Sequence, residues 1–412
     1  MKRWNAKCGV RIVVCLIMFA AAVMGQSVPT FKPMFISPNG VRDVLAAKDR
    51  EPWKSAVERV KQDADKALKQ PVQSVVTSIP KPTPDDAKVT DAHYYYTAKP
   101  YWWLIDGKWV RKDGEENPAT DRRDYEAAVA MSGAIRDLGV GYVYTGDVRF
   151  ARKAITLLNA WCNDKTTRMT PRYTTQQSYI ELSITMPALV YGFTLVENFP
   201  EWTAAGREAT REWIRTFATT GLTWKQPGNY NSWRAVMIAS AGVATGSKDL
   251  LNYAYALWAQ NLYHEVVGTD GKDSETGLTY VWVNNKKVTL RPGMLPLEMR
   301  RTDALFYSTY ALNAMTQAAE ILSRNGYKTF NHKSLLLALD FHAPYLVDPK
   351  KWNADGYLQA SAAKAALNYA LYELAFAQYK SPSYDAVVKR WGRPAIEGRV
   401  MGNVTTVVSP KR

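Results

Sequence analysis

Histidine and cysteine are scarce in this 412-residue chain, with four of the former and three of the latter. Two of the cysteines, Cys8 and Cys15, fall in a leader described below, and Cys162 ends an apolar helical pattern beside Trp161. A Cys/His metal cluster is thereby excluded, as is an intrachain disulfide once the leader is gone, and Cys162 is expected to be buried rather than reactive. Motifs are missing as well. There is no Walker loop, no dinucleotide fingerprint, no His-Glu-x-x-His and no Gly-x-Ser-x-Gly, and neither a metal nor a cofactor is expected. Negative charge is in short supply, with 38 Asp plus Glu against 53 Lys plus Arg, a net of +15. Aromatic residues, by contrast, make up 12% of the chain, with 14 Trp and 24 Tyr. A basic, aromatic-rich surface suits an acidic polymer such as nucleic acid, an anionic membrane or an acidic polysaccharide.

Long apolar runs are also few. Ile12 to Met24 is one of 13 residues, behind Lys2, Arg3, Lys7 and Arg11 and ahead of Gly25 and Gln26. This reads as a secretory signal peptide over residues 1–25, too short for a membrane anchor, which needs about 20 apolar residues. Four of the fifteen excess positive charges leave with it, so the mature chain keeps an excess of eleven. A periplasmic or secreted location follows. Export and the absence of a nucleic-acid module argue against nucleic acid as partner, no later stretch reads as a span, and a monomer is expected.

Residues 26–90 read as an N-terminal segment with a helix near Trp53 to Leu68 and a Pro-rich connector from Ile79 to Pro84. Residues 91–120 are dense in aromatics, Gly and Pro and read as ordered loop. From about 122 helical periodicity takes over. Asp147 caps a run in which Phe150, Ala154, Leu157, Leu158 and Trp161 recur at three- and four-residue spacing. Similar runs occupy roughly 178–197, 205–220, 233–246, 248–265, 302–323, 334–347 and 360–379. Strand alternation is confined to 279–290, where two β-rich runs flank Asn284 to Lys287 and predict a hairpin inserted between helices. So many helix pairs without heptads predict an all-α domain, with an (α/α) toroid or incomplete barrel fitting best and an irregular helical array left open.

Three segments carry candidate chemistry. In the first, His93 to Trp103, six of eleven residues are Tyr or Trp, and Arg111 to Pro118 follows. Such a loop suits the apolar faces and hydroxyls of sugars, or alternatively closes the core. The second, Gly228 to Arg234, presents Asn229, Tyr230 and Asn231 at a helix start, where donors and the helix dipole can meet an anion or simply cap the helix. The third runs from Gly293 to Leu312. If helical from Pro296, it sets Arg300 and Tyr307 two turns apart on one face. The alternative is a surface pair of Glu298 with Arg301 and a core Tyr307.

Together these segments resemble the alginate lyase family. His93 to Trp103 and Arg111 to Pro118 match its His-x-Tyr-Tyr…Pro-Tyr-Trp-Trp and Arg-x-Asp-Gly-x-x-Asn-Pro patterns. Leu295 to Leu312 matches Leu-Pro-x-Glu-x-x-Arg-x-x-Ala-Leu-x-Tyr-x-x-Tyr-Ala-Leu, and Arg399 to Val407 looks like the family's ending. The chain departs where the family has Asn-Asn-His. Counting back from Trp233, Asn229 falls on the neutralising Asn and Tyr230 on the catalytic His, or a loop shift brings Asn231 there. An insertion near 268–292 also precedes the third segment.

The resemblance implies an (α/α) catalytic domain over 91–412 that cleaves a polyuronate by β-elimination without a cofactor. Asn229 and Arg300, assisted by Arg301, would neutralise the uronate carboxylate, and Tyr307, its phenolate favoured by Arg charge, would serve as base, acid or both. With Tyr230 in place of the His, one phenol acting on both atoms implies syn elimination and hence mannuronate-type blocks, unless His93 or His264 is recruited. Tyr95, Tyr101, Trp102, Arg111 and His93 would bind sugar rings and carboxylates. Alternatives are a lyase for glucuronan or another polyuronate, a glycoside hydrolase using carboxylates such as Asp113, Glu181 and Glu298, and a non-catalytic acidic-polysaccharide-binding protein.

Overall fold

The computed structural model describes residues 28–77, 91–97, 99–283, 285–357 and 362–411, and the fold is predominantly helical. The expected signal peptide lies outside the described residues, as does the Ile79 to Pro84 connector. The N-terminal segment supplies α1 (Pro38–Ala46) and α2 (Trp53–Ala67), followed by a short hairpin of β1 (Trp102–Ile105) and β2 (Lys108–Arg111). The array proper begins with α3 (Arg123–Thr145), α4 (Val148–Leu158), α5 (Gln176–Val196), α6 (Ala204–Thr220), α7 (Asn229–Thr245) and α8 (Lys248–Glu265). A second hairpin, β3 (Tyr280–Val283) and β4 (Lys286–Thr289), interrupts it before α9 (Pro296–Met299), α10 (Ala304–Arg324) and α11 (Lys333–Val347).

Burial sorts these helices into two layers. On α5 the side chains from Ser178 to Val196 are buried all round, and α3, α7 and α10 are buried nearly as completely. A helix apolar on every side belongs inside. These four pack side by side in the order α3, α5, α7, α10, while α4, α6, α8 and α11, which bury one face each, back them. The expected toroid is the architecture observed. By length and composition α5 could span a membrane, contrary to the expectation that no later stretch would, but it is wholly buried in the inner layer.

Two glycines set how closely the inner helices approach. A Cβ on Gly192 would stand 2.4 Å from the Ile135 carbonyl oxygen, and one on Gly139 would stand 3.1 Å from the Gly192 carbonyl oxygen. The N-terminal segment packs on the same array. A Cβ on Gly141 of α3 would meet the Ala64 methyl of α2, and Asn403 Nδ2 donates to the Ala56 carbonyl at 2.8 Å.

Regular structure departs from the sequence expectation in three places. The aromatic stretch at 91–120, read as loop, contains the β1–β2 hairpin, paired Trp102 to Arg111 through Ile105 to Lys108 around Asp106 and Gly107, both at positive φ. The run expected at 360–379 breaks into a single helical turn at Ala362–Ala365, a 3₁₀ turn at Ala366–Asn368 and a helix at Leu371–Tyr379. Most consequentially, no helix runs unbroken from Pro296 to Leu312. The α9 turn ends at Met299, and α10 starts afresh at Ala304, capped by Asp303, whose side chain accepts the Phe306 N–H. The 279–290 hairpin and the burial of Cys162 are as expected.

Gly192→Ala must separate α3 from α5, and its expected cost is about 2–3 kcal/mol by chemical denaturation. Gly398→Ala, where an added methyl meets nothing within 4 Å, is expected to stay within about 0.5 kcal/mol of the parent.

Candidate active site

The first turns of all four inner helices open on one cleft of ≈ 840 Å³. Tyr125 comes from α3, Gln177 and Glu181 from α5, Asn229 and Tyr230 from α7, and Phe306, Tyr307 and Tyr310 from α10. Helix N-termini present the positive end of the backbone dipole, so this convergence already favours an anion. Side chains add to it. Lys99, Arg111, Arg122, Arg301, Lys364 and Arg399 line the cleft against two carboxylates, Glu116 and Glu181.

Arg301 lies flat on Tyr307, its guanidinium carbon 3.6 Å from the ring centroid. It is held there by a two-pronged bond to Asp113, Nε at 2.9 Å and Nη2 at 3.0 Å. Asp113 sits on the turn after β2, which Thr302 Oγ1 fastens by donating to the Asp113 carbonyl at 3.0 Å. Gly114, at φ +74°, lets that turn lie against the Tyr307 hydroxyl, since a Cβ there would come within 2.7 Å of Thr302 Oγ1. Burial works to raise the Asp113 carboxyl, but Arg301 and Arg111 outweigh it, so the group stays below its ordinary range.

Asn229 is fixed from behind. Glu298, buried, accepts both its backbone N–H at 2.8 Å and its side-chain Nδ2 at 2.9 Å on one oxygen, while its other oxygen stands 4.0 Å from Arg301 Nη1. Glu298 is raised by burial, with Arg301 and Asn229 opposing. A second buried carboxylate, Glu265, takes the Gly228 N–H at 2.6 Å, and its Oε2 finds no partner among the described residues. Burial first, and Glu298 second, push it up to about 8.

Burial also governs the phenols. It raises Tyr307 well above its ordinary value, the neighbouring Tyr101 adds to this, and Arg301 only partly opposes. The expected easy phenolate is therefore corrected: Tyr307 is a protonated phenol at neutral pH. Tyr230, whose ring stacks on Tyr179, is pushed up to about 12, again chiefly by burial.

Of the sequence candidates, Tyr307, Asn229, Tyr230, Tyr101, Trp102, Arg111 and Arg301 line the cleft together. Four do not. Arg300 is exposed at the end of α9, because the break at 300–303 turns it away and brings Arg301 onto Tyr307 instead. Tyr95 is fully buried and donates to Glu181 at 2.8 Å, so it offers no face to a ligand. His93 pins its loop, its Nδ1 2.8 Å from the Arg168 carbonyl oxygen. Asn231, the third residue of α7, does not line the cleft, and its buried Oδ1 finds no partner among the described residues. None of the four histidines lines the cleft, so neither His93 nor His264 stands in for the missing one.

Arg122 and Arg399 were not singled out from sequence as ligand-binding residues. Arg122 pairs with Glu181, and Arg399 lies 4.8 Å over the Tyr310 ring. The only signal for Arg399 was its place in the C-terminal motif. The carboxylates a hydrolase would use are all engaged: Asp113 with Arg301, Glu181 with Arg122, Tyr95 and Gln177, and Glu298 with Asn229.

For Glu265, a folded-state value above 4.5 means that the native state holds its proton more tightly than the unfolded chain does. Its contribution to stability is present at low pH and is lost as pH rises from about 4.5 to about 8. Glu265→Gln removes that slope. Thermal melts across this window are expected to show the variant gaining on the parent as pH rises, by up to about 4–5 kcal/mol, whereas parallel curves contradict the assignment.

Compared with known proteins, the chain matches the family model described as alginate lyase over residues 72–352. Among solved structures it is similar to an alginate lyase from Bacteroides ovatus, with a TM-score of 0.73 and 23% identity over 92% of this chain and 100% of that one. It is also similar to alginate lyase A1-III from Sphingomonas species A1, with a TM-score of 0.56 and 16% identity over 85% of this chain and 94% of that one. A variant of alginate lyase A1-III complexed with tetrasaccharide gives a TM-score of 0.62 and 16% identity over 95% of this chain and 98% of that one. The curated proteins contain no match. At these identities the structural likeness speaks for the fold.

Proposed function

The chain belongs to the alginate lyase family, and from that membership we propose that it is a polysaccharide lyase cleaving a 4-linked polyuronate, alginate foremost, by β-elimination. The observation that carries this reading is the grouping of Arg301 on the face of Tyr307 with Asn229, both beside the same Glu298, on a cleft where cations outnumber carboxylates six to two. Similar solved structures are of alginate lyases, one of them complexed with tetrasaccharide, which supports this reading.

The proton at C5 of a uronate is weakly acidic because its neighbour is already a carboxylate. Arg301 and the second N–H of the Asn229 amide neutralise that carboxylate and lower the cost of the carbanion-like transition state. Tyr307, as phenolate, takes the C5 proton. The C–H electrons form the C4–C5 double bond, the C4–O4 bond breaks, and O4 receives the proton back from Tyr307. No water is consumed, and the phenolate is regenerated. Tyr101, beside Tyr307, adds to the rise of its phenol. Tyr230, protonated at neutral pH, is a hydrogen-bond donor and not a second base. One phenol reaching both atoms acts on a single face of the sugar, which favours mannuronate-type blocks, with glucuronan the other candidate of like geometry. The signal-peptide pattern of residues 1–25 supports a periplasmic or secreted location for this activity.

Tyr307→Phe is expected to lower turnover about 10²–10⁴-fold while retaining polymer binding. Because the active phenolate lies on the alkaline side of a raised value, kcat/KM is expected to climb up to about tenfold per pH unit from neutrality upward. The readout is the ultraviolet absorbance of the unsaturated uronate product, which a hydrolase does not form. A product panel in which polyguluronate is the best substrate overturns the one-phenol mechanism, and a parent that binds polyuronate without any turnover overturns the lyase reading.

A further inference from the structure

The β3–β4 hairpin contributes nothing to the cleft, since none of its residues lines it. Alternation gives it two faces. Val281, Val283 and Val288 point inward and are buried, while Tyr280, Trp282 and Lys287 share the outer face, with Trp282 directly opposite Lys287. Trp282 is 59% exposed, unusual for the largest apolar side chain. The Lys287 ammonium stands 4.1 Å from the Tyr280 ring centroid, and the two aromatic rings meet edge to face at 6.1 Å. Lys286 adds a further exposed cation at the turn.

We infer that this outer face is a second binding surface for acidic polysaccharide, on which Trp282 stacks against a sugar ring and Lys287 meets the ring's carboxylate. A uronate unit has both features, an apolar face of C–H groups and a negative charge, and an exposed indole beside the Lys287 ammonium complements both. The hairpin is also anchored next to the cleft wall. Just beyond it, Gly293 N–H donates to the Val267 carbonyl and Val267 N–H to the Met294 carbonyl, each at 2.9 Å. Val267 closely follows Glu265, whose carboxylate holds Gly228 at the start of α7. A polymer held at both places binds with the advantage of a tethered second contact, which a short fragment lacks. The identity of the occupant rests on the proposed polyuronate lyase function.

The test uses Trp282→Ala and Lys287→Ala, separately, in the full chain. Migration of each in the Tyr307→Phe background through gels containing long alginate is expected to report about five- to tenfold weaker affinity, with an uncharged glucan giving no retardation of any variant. With Tyr307 intact, kcat/KM on a mannuronate tetrasaccharide is expected to match the parent. Unchanged retardation in alginate overturns the inference, and so does an equal loss on the tetrasaccharide, which would mean that the hairpin acts through the cleft. Concentration-dependent self-association of the parent that Trp282→Ala abolishes, with alginate binding unaffected, assigns the face to a second copy of the chain instead. Failure of the parent itself to bind any polyuronate sinks the functional reading, a result separable from all of these.

Discussion

The site depends on one buried carboxylate. Glu298 joins the start of α7 to the end of α9, accepting two N–H groups of Asn229 on one oxygen and facing Arg301 with the other. A carboxylate at this depth is costly unless hydrogen bonds and a cation compensate. Here the compensation comes from the two groups proposed to hold the substrate carboxylate. The oxygen that accepts two N–H groups also fixes which end of the Asn229 amide points toward it, leaving the second N–H of that nitrogen for a ligand. Asp113 completes the arrangement from the other side, clamping Arg301 through a planar two-pronged bond that a lysine could not make. Asn229 and Arg301 are thus placed by a side chain that itself stands behind the wall of the cleft.

The toroid supplies the rest. Inner helices buried on all sides can meet solvent only at their ends, and four of those ends share one cleft. Part of the cleft lining, Asn229, Tyr230 and Tyr307 included, therefore falls near the starts of α3, α5, α7 and α10, where backbone donors and dipoles add to the field of the six cations, which lie outside those helices. Several of these cations are already partly neutralised, Arg122 by Glu181 and Arg301 by Asp113. What remains is an excess of positive charge on the cleft, with Arg301 and Arg122 held in place by their carboxylates.

Much of this was legible in the sequence. Helical periods gave the helical runs and the toroid as the best-fitting architecture, because burial writes itself into the spacing of apolar residues, whereas the division into inner and outer layers came from the structure. The 279–290 hairpin was legible from its alternation. The aromatic segment was only half readable. Tyr101 and Trp102 reach the cleft, but Tyr95 turns inward to Glu181 and His93 pins a loop to Arg168. Composition marks such a segment as aromatic and loop-bound, and which rings face a ligand is decided by partners 70 to 90 positions away. Arg300 and Arg301 show the same limit at closer range. Periodicity favoured Arg300, but Asp303 caps a new helix three residues on, and that break exchanges the two side chains. The cap was present in the sequence, and the family pattern matched over Leu295 to Leu312 sets its Arg on Arg301, a sign that the helical spacing of Arg300 and Tyr307 overrode.

The exchange of a motif histidine for Tyr230 bears on how protons are handled. A histidine titrates near neutrality and can serve as a base. A phenol raised to about 12 by burial and stacked on Tyr179 remains a donor at any pH at which the fold is expected to work. Basicity in the cleft then falls on Tyr307, where burial opposes ionisation and Arg301 is the main group favouring it. In the proposed mechanism the same guanidinium has two roles, neutralising the sugar carboxylate and stabilising the phenolate, with the bound carboxylate drawing on the very charge the phenolate needs. Arg122 and Arg399, which line the same cleft, are the groups in position to share that demand, and this gives a physical reason for a cleft with more arginines than one carboxylate requires.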